Sequence, residues 1–164
     1  MIINRLELEN FLSYRKAQLE FPPGSIAIVG ENGAGKSTLL DAIYFALFRD
    51  AGRGSLASLI KRGSSKAFVS LEFQVDGKRY VVARDIRRSG RKRVSTSARL
   101  YKIVGSEKKL VAYSPSQVDE EIRRLLSMDK QMFLTTVYVR QGEIARLLDV
   151  DPRQRKNLVT RLLG

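Results

Sequence analysis

The chain has 164 residues, with 30 Lys+Arg against 17 Asp+Glu and a formal net charge of +13. The length suits one domain of ordinary size, and the charge favours an acidic polymer as partner, nucleic acid ahead of an anionic membrane surface. With no Cys and no His, disulfides, thiolate metal centres and the commonest metal ligand and general base are excluded, so any catalysis rests on phosphate and magnesium chemistry. No apolar run reaches the ~18 residues of a membrane span and Met1 opens no signal peptide; a soluble cytoplasmic protein with no membrane partner is expected.

In chain order, Leu6 and Leu8 alternate with Arg5, Glu7 and Glu9, and Leu19 and Phe21 alternate with Gln18 and Glu20; both patterns predict half-buried strands. After the Pro22-Pro23-Gly24 turn, Ile26-Ala27-Ile28-Val29 runs apolar without alternation, as a central parallel strand buried on both faces does. A glycine-rich loop follows, and then Leu39, Leu40, Ile43, Ala46 and Leu47 recur at helical spacing. From Asp50 to Ser65 a loop is expected, anchored by Leu56, Leu59 and Ile60, with room for one short helical turn.

Val69, Leu71, Phe73 and Val75 alternate with polar residues, Asp76-Gly77 turns the chain, and Tyr80, Val82 and Arg84 return; this is the clearest hairpin in the sequence. A second strand pair is expected over Ala98 to Val104 and Lys109 to Tyr113, making a mixed sheet. Ser114-Pro115-Ser116-Gln117 supplies a cap, a proline at the first helical position and a glutamine three residues after the cap, which predicts a helix with Val118, Ile122, Leu125 and Leu126 on its apolar face. A short helix after Asp129, a strand over Val137 to Gln141, and a last helix capped by Asp151-Pro152 with Leu158, Val159, Leu162 and Leu163 in a stripe complete the expectation.

The loop carries the chemistry. Gly30, Gly35, Lys36 and Ser37 meet the pattern G-x-x-x-x-G-K-[ST], in which glycines let backbone N–H groups converge on phosphate oxygens without a Cβ in the way. Lys36 would supply positive charge to the β- and γ-phosphates of a nucleoside triphosphate, the Ser37 hydroxyl would ligate magnesium, and the following helix adds its positive dipole end. The bare pattern arises by chance in about one chain in a hundred of this length; a strand before it and a helix after it make an ordinary glycine turn less frequent still.

Around that loop the sequence resembles the Rad-fifty ATPases, SMC-like (ABC-type) proteins of DNA double-strand-break repair, in a form that suits an archaeal member. The resemblance is carried by Leu6-Glu7-Leu8-Glu9-Asn10-Phe11, by Gly30 to Thr38 with Leu39-Leu40-Asp41-Ala42-Ile43, and by Val139-Arg140-Gln141-Gly142-Glu143, which resembles the Q-loop of repair ATPases. It implies an α/β fold: the N-terminal lobe of an ABC-type P-loop ATPase head over residues 1–150, with a mixed sheet and a phosphate-loop helix, and the root of a coiled coil from 151 to 164. The C-terminal half of the head, with its signature Ser-Gly-Gly motif, magnesium-binding Asp and catalytic Glu, would lie elsewhere.

Residue by residue, the resemblance implies ATP and Mg²⁺ as cofactors. Asn32, Gly33, Ala34, Gly35, Lys36, Ser37 and Thr38 would contact phosphates, and Ile60, Lys61 and Arg62 would lie near base and ribose. Ser37 and Gln141 would be the metal ligands, and Gln141 and Lys36 the catalytic candidates, Gln141 through magnesium and the attacking water. Where several relatives place an Arg that approaches the nucleotide, this chain has Leu12, leaving Ser13 or backbone to contribute. The implied partners are the chain's own C-terminal half-head, a second copy joined through ATP, an Mre-eleven-type nuclease near the coiled-coil root and double-stranded DNA; a zinc ion at the coiled-coil apex would lie outside this chain.

The densest basic stretch is Arg84, Arg87, Arg88, Arg91, Lys92 and Arg93, around a hairpin tip at Gly90. A solvated loop would need fewer cations, and no aromatic residue is interleaved among them, so sequence-independent phosphate contact by Arg87, Arg88, Arg91, Lys92 and Arg93 is the expectation. The rivals are an SMC or RecN-like head, a transporter nucleotide-binding subunit, which the net charge disfavours, and a small-molecule kinase, for which no lid is visible.

Overall fold

The computed structural model describes residues 1–52, 54–90 and 93–136, which fall into two units, Met1–Leu126 and Ser127–Gly164. The first is an antiparallel sheet and two helices. Strands β1 (Ile2–Phe11) and β2 (Tyr14–Glu20) form a tight hairpin in which Phe11 pairs with Tyr14. Strands β3 (Lys66–Val75) and β4 (Lys78–Ser89) are joined by Asp76 and Gly77 at φ 49° and 72°, the two positive values that a two-residue hairpin turn requires. Strands β5 (Arg93–Val104) and β6 (Glu107–Ala112) close the sheet in the order β2-β1-β3-β4-β5-β6.

Period-two patterning sets which face is covered. Leu6 and Leu8 of β1 sit opposite Leu71 and Val69 of β3, and all four are buried, as are Phe73, Val82, Ile86 and Leu100. Helices α1 (Lys36–Phe48) and α2 (Pro115–Leu126) contribute further buried side chains to the core. α2 follows its sequence pattern: Ser114 Oγ accepts from the Gln117 N–H at 3.4 Å, and Val118, Ile122 and Leu126 are buried. α1 is not a one-faced helix: Ala42 through Leu47 are buried without a break, whereas Leu40 is 40% exposed. It packs against β1, β3, β4 and α2, so most of its circumference is covered, and the Phe11 and Phe45 ring centroids are 5.8 Å apart.

One strand expected from the sequence does not form. Ile26-Ala27-Ile28-Val29 pairs with no strand among the described residues; Ile26 is 46%, Ile28 39% and Val29 88% exposed, and every strand pairing in the sheet is antiparallel. The physical reason is the lack of neighbours. A strand apolar on both faces needs a partner on each edge and a layer on each side, and the described residues supply none of these beside the phosphate loop. The short turn in the Asp50 to Ser65 loop does form, as a 3-10 turn at Leu56–Leu59 with Leu59 and Ile60 buried.

Arg84, which the sequence places among surface cations, is fully buried. It shares the covered face of β4 with Val82 and Ile86, and its guanidinium caps the end of α1: Nε donates to Ala46 O at 2.6 Å and Nη2 to Leu47 O at 3.2 Å. Nη2 also lies 2.8 Å from Asp119 Oδ1 of α2, whose other oxygen is 2.9 Å from Arg49 Nη2. Arg49 ends α1 in a left-handed conformation, φ 53°, with its N–H on Phe45 O. Burial pulls the Arg84 pKa down from its ordinary value, and the Asp119 carboxylate opposes that shift. Arg84→Leu is expected to cost about 3 kcal/mol, since it strips helix-end carbonyls and a half-buried carboxylate of their partner; urea denaturation checks this, and a loss under ~0.5 kcal/mol would mean water replaces the guanidinium freely.

In the second unit, α3 (Lys130–Thr136) starts where Asp129 Oδ1 accepts the Met132 N–H at 2.8 Å. The strand expected at Val137 to Gln141 and the helix expected from Asp151 lie outside the described residues. No described helix is long and apolar enough to cross a membrane.

Candidate nucleotide site

The phosphate loop is held open by glycines at conformations other residues resist: φ is 85° at Gly33 and 94° at Gly35. Gly35 is constrained twice, because a Cβ there would lie 2.9 Å from Ser13 Oγ and 3.0 Å from the Tyr14 ring. It is also the N-cap of α1, and no side chain caps that helix end. The first-turn N–H groups of α1 are therefore left to solvent or to an anion.

Lys36 is folded back across the loop. Its Nζ donates to Gly30 O and to Glu31 O, each at 2.7 Å. An ammonium has one donor more than those two carbonyls use, so the charge is fixed over the loop with a proton to give. The Ala34 N–H bonds Glu31 O at 3.2 Å, while Asn32, Gly33, Ala34 and Ser37 are exposed. Thr38 Oγ1 lies 3.3 Å from Ser13 Oγ, tying the helix to the β1–β2 hairpin.

That hairpin is stitched to the segment after the 3-10 turn. The Leu12 N–H bonds Leu59 O and the Lys61 N–H bonds Asn10 O, both at 2.8 Å; Phe11 and Ile60 form an isolated bridge; and Lys61 Nζ donates to Ser13 O at 2.9 Å. Together they frame a recess of about 410 Å³ lined by Leu12, Ser13, Ala57, Ser58, Ile60, Arg62, Gly63 and Arg88. Of the residues assigned to base and ribose, Ile60 and Arg62 line this recess, as does Ser13, the other nucleotide candidate, whereas the Lys61 ammonium is engaged by the Ser13 carbonyl. Ala57, Ser58, Gly63 and Arg88 line it without having been singled out for it, and Leu12 lines it at the position where several relatives place an Arg. For Arg88 a signal existed: strand parity with buried Arg84 and Ile86.

Of the basic stretch, Arg87, Arg88 and Arg93 are exposed on β4 and β5, and Arg88 Nη2 donates to Ala57 O at 3.1 Å. Arg91, Lys92 and Gln141 lie outside the described residues, as does the Val139 to Glu143 segment.

A family model described as an AAA domain matches residues 5–163. The chain belongs to that family. Within this AAA family it is similar along its whole length to the DNA double-strand break repair Rad50 ATPase of Methanocaldococcus jannaschii, 35% identical over 164 residues, covering 100% of this chain and 15% of that protein. The Methanopyrus kandleri protein of the same description is 39% identical over 166 residues, covering 99% of this chain and 18% of that one. The chain thus spans under a fifth of these relatives, and the motif-based resemblance to Rad-fifty ATPases extends over nearly all of it.

Among solved structures, the SMC head domain from Thermotoga maritima superposes with a TM-score of 0.52 at 27% identity, covering 76% of this chain and 41% of that one. The recombination mediator protein RecF with ATP gives 0.54 at 24% identity, over 63% of this chain and 29% of that one, a likeness of fold. The α/β fold is thus shared with both structures.

Proposed function

We propose that this chain is the ATP-binding N-terminal half of the head of a DNA double-strand-break repair ATPase, and that ATP joins two such heads on DNA. The observation that carries the reading is the Lys36 ammonium fixed across the loop beside the uncapped start of α1. Such an arrangement has few uses other than a polyphosphate. Among the described residues no three acidic side chains gather at one point. A magnesium ion would accordingly take its ligands from the nucleotide's phosphates, water and the Ser37 hydroxyl, with Gln141 added by the resemblance. Magnesium supplies charge neutralisation at the β- and γ-phosphates; the chain's own residues bind and orient them.

The exposed run Ile26 to Val29 supports a second half-head as partner: it has the composition of a central strand and lacks only the neighbours. A nuclease partner near the coiled-coil root, an apical zinc ion and a cytoplasmic, nucleoid-associated setting are proposed on the resemblance to Rad-fifty ATPases alone. Titration of Mg·ATP into the full-length protein, followed by calorimetry, tests the core of this reading. Saturable binding at one site per chain is expected, and absence of heat at millimolar nucleotide would sink it.

Double-stranded DNA is the proposed polymer partner, contacted by Arg87, Arg91, Lys92 and Arg93 without sequence preference. Each neutralised phosphate contact contributes about 0.9 to the slope of log K against log[salt]. Replacing Arg87, Arg91 and Arg93 by Gln is therefore expected to flatten that slope by up to about 2.7. An unaltered slope in fluorescence titrations across a salt series would leave the hairpin as a solvated face.

A further inference from the structure

Strand parity separates two arginines that the sequence runs together. Val82, Arg84 and Ile86 are fully buried on the covered face of β4, and Arg88 is the next residue on that side. Arg87 belongs to the opposite face, where its pairing partner on β3 is Lys66. The two guanidinium groups consequently part. Arg88, itself exposed, donates from Nη2 to Ala57 O at 3.1 Å and lines the recess together with Arg62 and Ser13. Ser13 in turn touches the phosphate-loop helix at Thr38 and lies against Gly35, so this one residue of the recess lining borders the loop. Among the described residues its lining carries two guanidinium groups, two serines and no carboxylate.

We propose that Arg88 is a residue of the nucleotide site, forming with Arg62 the wall that receives the base and ribose of a nucleoside triphosphate whose phosphates occupy the loop, and that it is not a DNA contact of the hairpin. The inference rests on the phosphate-loop reading and extends it from the phosphate end of the ligand to the other end. One donor of the Arg88 fork is taken by Ala57 O, and its remaining donors suit the acceptor atoms on a base edge or ribose. A planar guanidinium also stacks on a base face, which a lysine ammonium cannot do. The bond to Ala57 fixes the fork in the recess wall, so less side-chain freedom is lost on binding.

The test compares two ligands in the full-length protein. Affinities are measured for Mg·ATP and for magnesium tripolyphosphate, which keeps the phosphates and lacks base and ribose. Arg88→Ala is expected to weaken ATP about tenfold and leave tripolyphosphate unchanged. Arg88→Lys, which preserves charge, should weaken ATP in the same direction with an unshifted melting temperature, separating loss of the fork from loss of fold. Arg87→Ala should change neither ligand, and Lys36→Ala should weaken both. Arg88→Ala should also leave the DNA salt slope as it was.

Unchanged ATP affinity in Arg88→Ala, where Lys36→Ala abolishes binding, overturns this inference and leaves the phosphate loop standing. Equal weakening of ATP and tripolyphosphate by Arg88→Ala overturns it as well, because the residue would then act on the loop and not on base or ribose. Unchanged binding of both ligands by Lys36→Ala would overturn the phosphate-loop reading itself.

Discussion

Replacing Lys36 by Ala is expected to abolish ATP binding in the full-length protein while leaving its stability within about 0.5 kcal/mol of the parent. The two halves of that expectation come from the same geometry. In the free loop the ammonium serves only Gly30 O and Glu31 O, at 2.7 Å each, and both carbonyls lie at the surface, where water replaces it. With nucleotide bound, the same charge faces anionic oxygens, and each charge-assisted hydrogen bond is worth about 1.5–3 kcal/mol. Losing two lowers affinity by about two to four orders of magnitude. Calorimetric titration of the folded variant measures this. Near-parental affinity would mean that the loop's backbone alone holds the triphosphate, and the central assignment would fail.

The loop was legible because everything it needs is local: glycines at set intervals, the lysine, and a helix immediately after. The β3–β4 hairpin was legible for the same reason, Asp76-Gly77 fixing turn and register together. What failed was information that lies outside the segment. The apolar run Ile26 to Val29 says that a strand there would be buried on both faces, but it cannot say which chain segment does the burying, and the described residues leave it exposed. Arg84 failed in the opposite sense. Its charge argued for solvent, and its partners, the Ala46 and Leu47 carbonyls, are 38 and 37 residues away along the chain.

The recess shows the same limit within the site. Its wall is assembled from the β1–β2 hairpin, the segment from Ala57 to Gly63 and the end of β4, three pieces whose meeting is a property of the sheet order. Ser13, Ile60 and Arg62 entered through resemblance to repair ATPases, not through any pattern in the residues themselves. Arg88 was counted with Arg87 because a run of cations looks uniform in sequence. A strand alternates its faces, and the proposal for Arg88 rests on that alternation.

Hydrolysis is expected to require more than residues 1–164. A phosphate loop binds and polarises, but transfer of the γ-phosphoryl group to water also needs an oriented water, a base and charge stabilisation on the far side of the phosphate. Lys36 and the start of α1 address the near side only. Gln141, by resemblance, would orient water through magnesium. The base and the signature motif would come from the C-terminal half, the latter from the opposing copy. Residues 1–164 alone should therefore release phosphate at the background rate, and activity should appear when the C-terminal half is added. The rate should then rise more steeply than linearly with head concentration until dimerisation saturates. In the full-length protein, Gln141→Ala should lower kcat on the order of a hundredfold while ATP affinity changes little, since the residue acts on water and metal and not on the bulk of the triphosphate. Phosphate release is measured for each half alone, for both together and for the variant, across a concentration series. Robust, concentration-independent turnover by residues 1–164 would show that this chain carries its own base, with the exposed Glu31 of the loop as the first residue to replace, and a self-contained phosphotransferase would then displace the half-head.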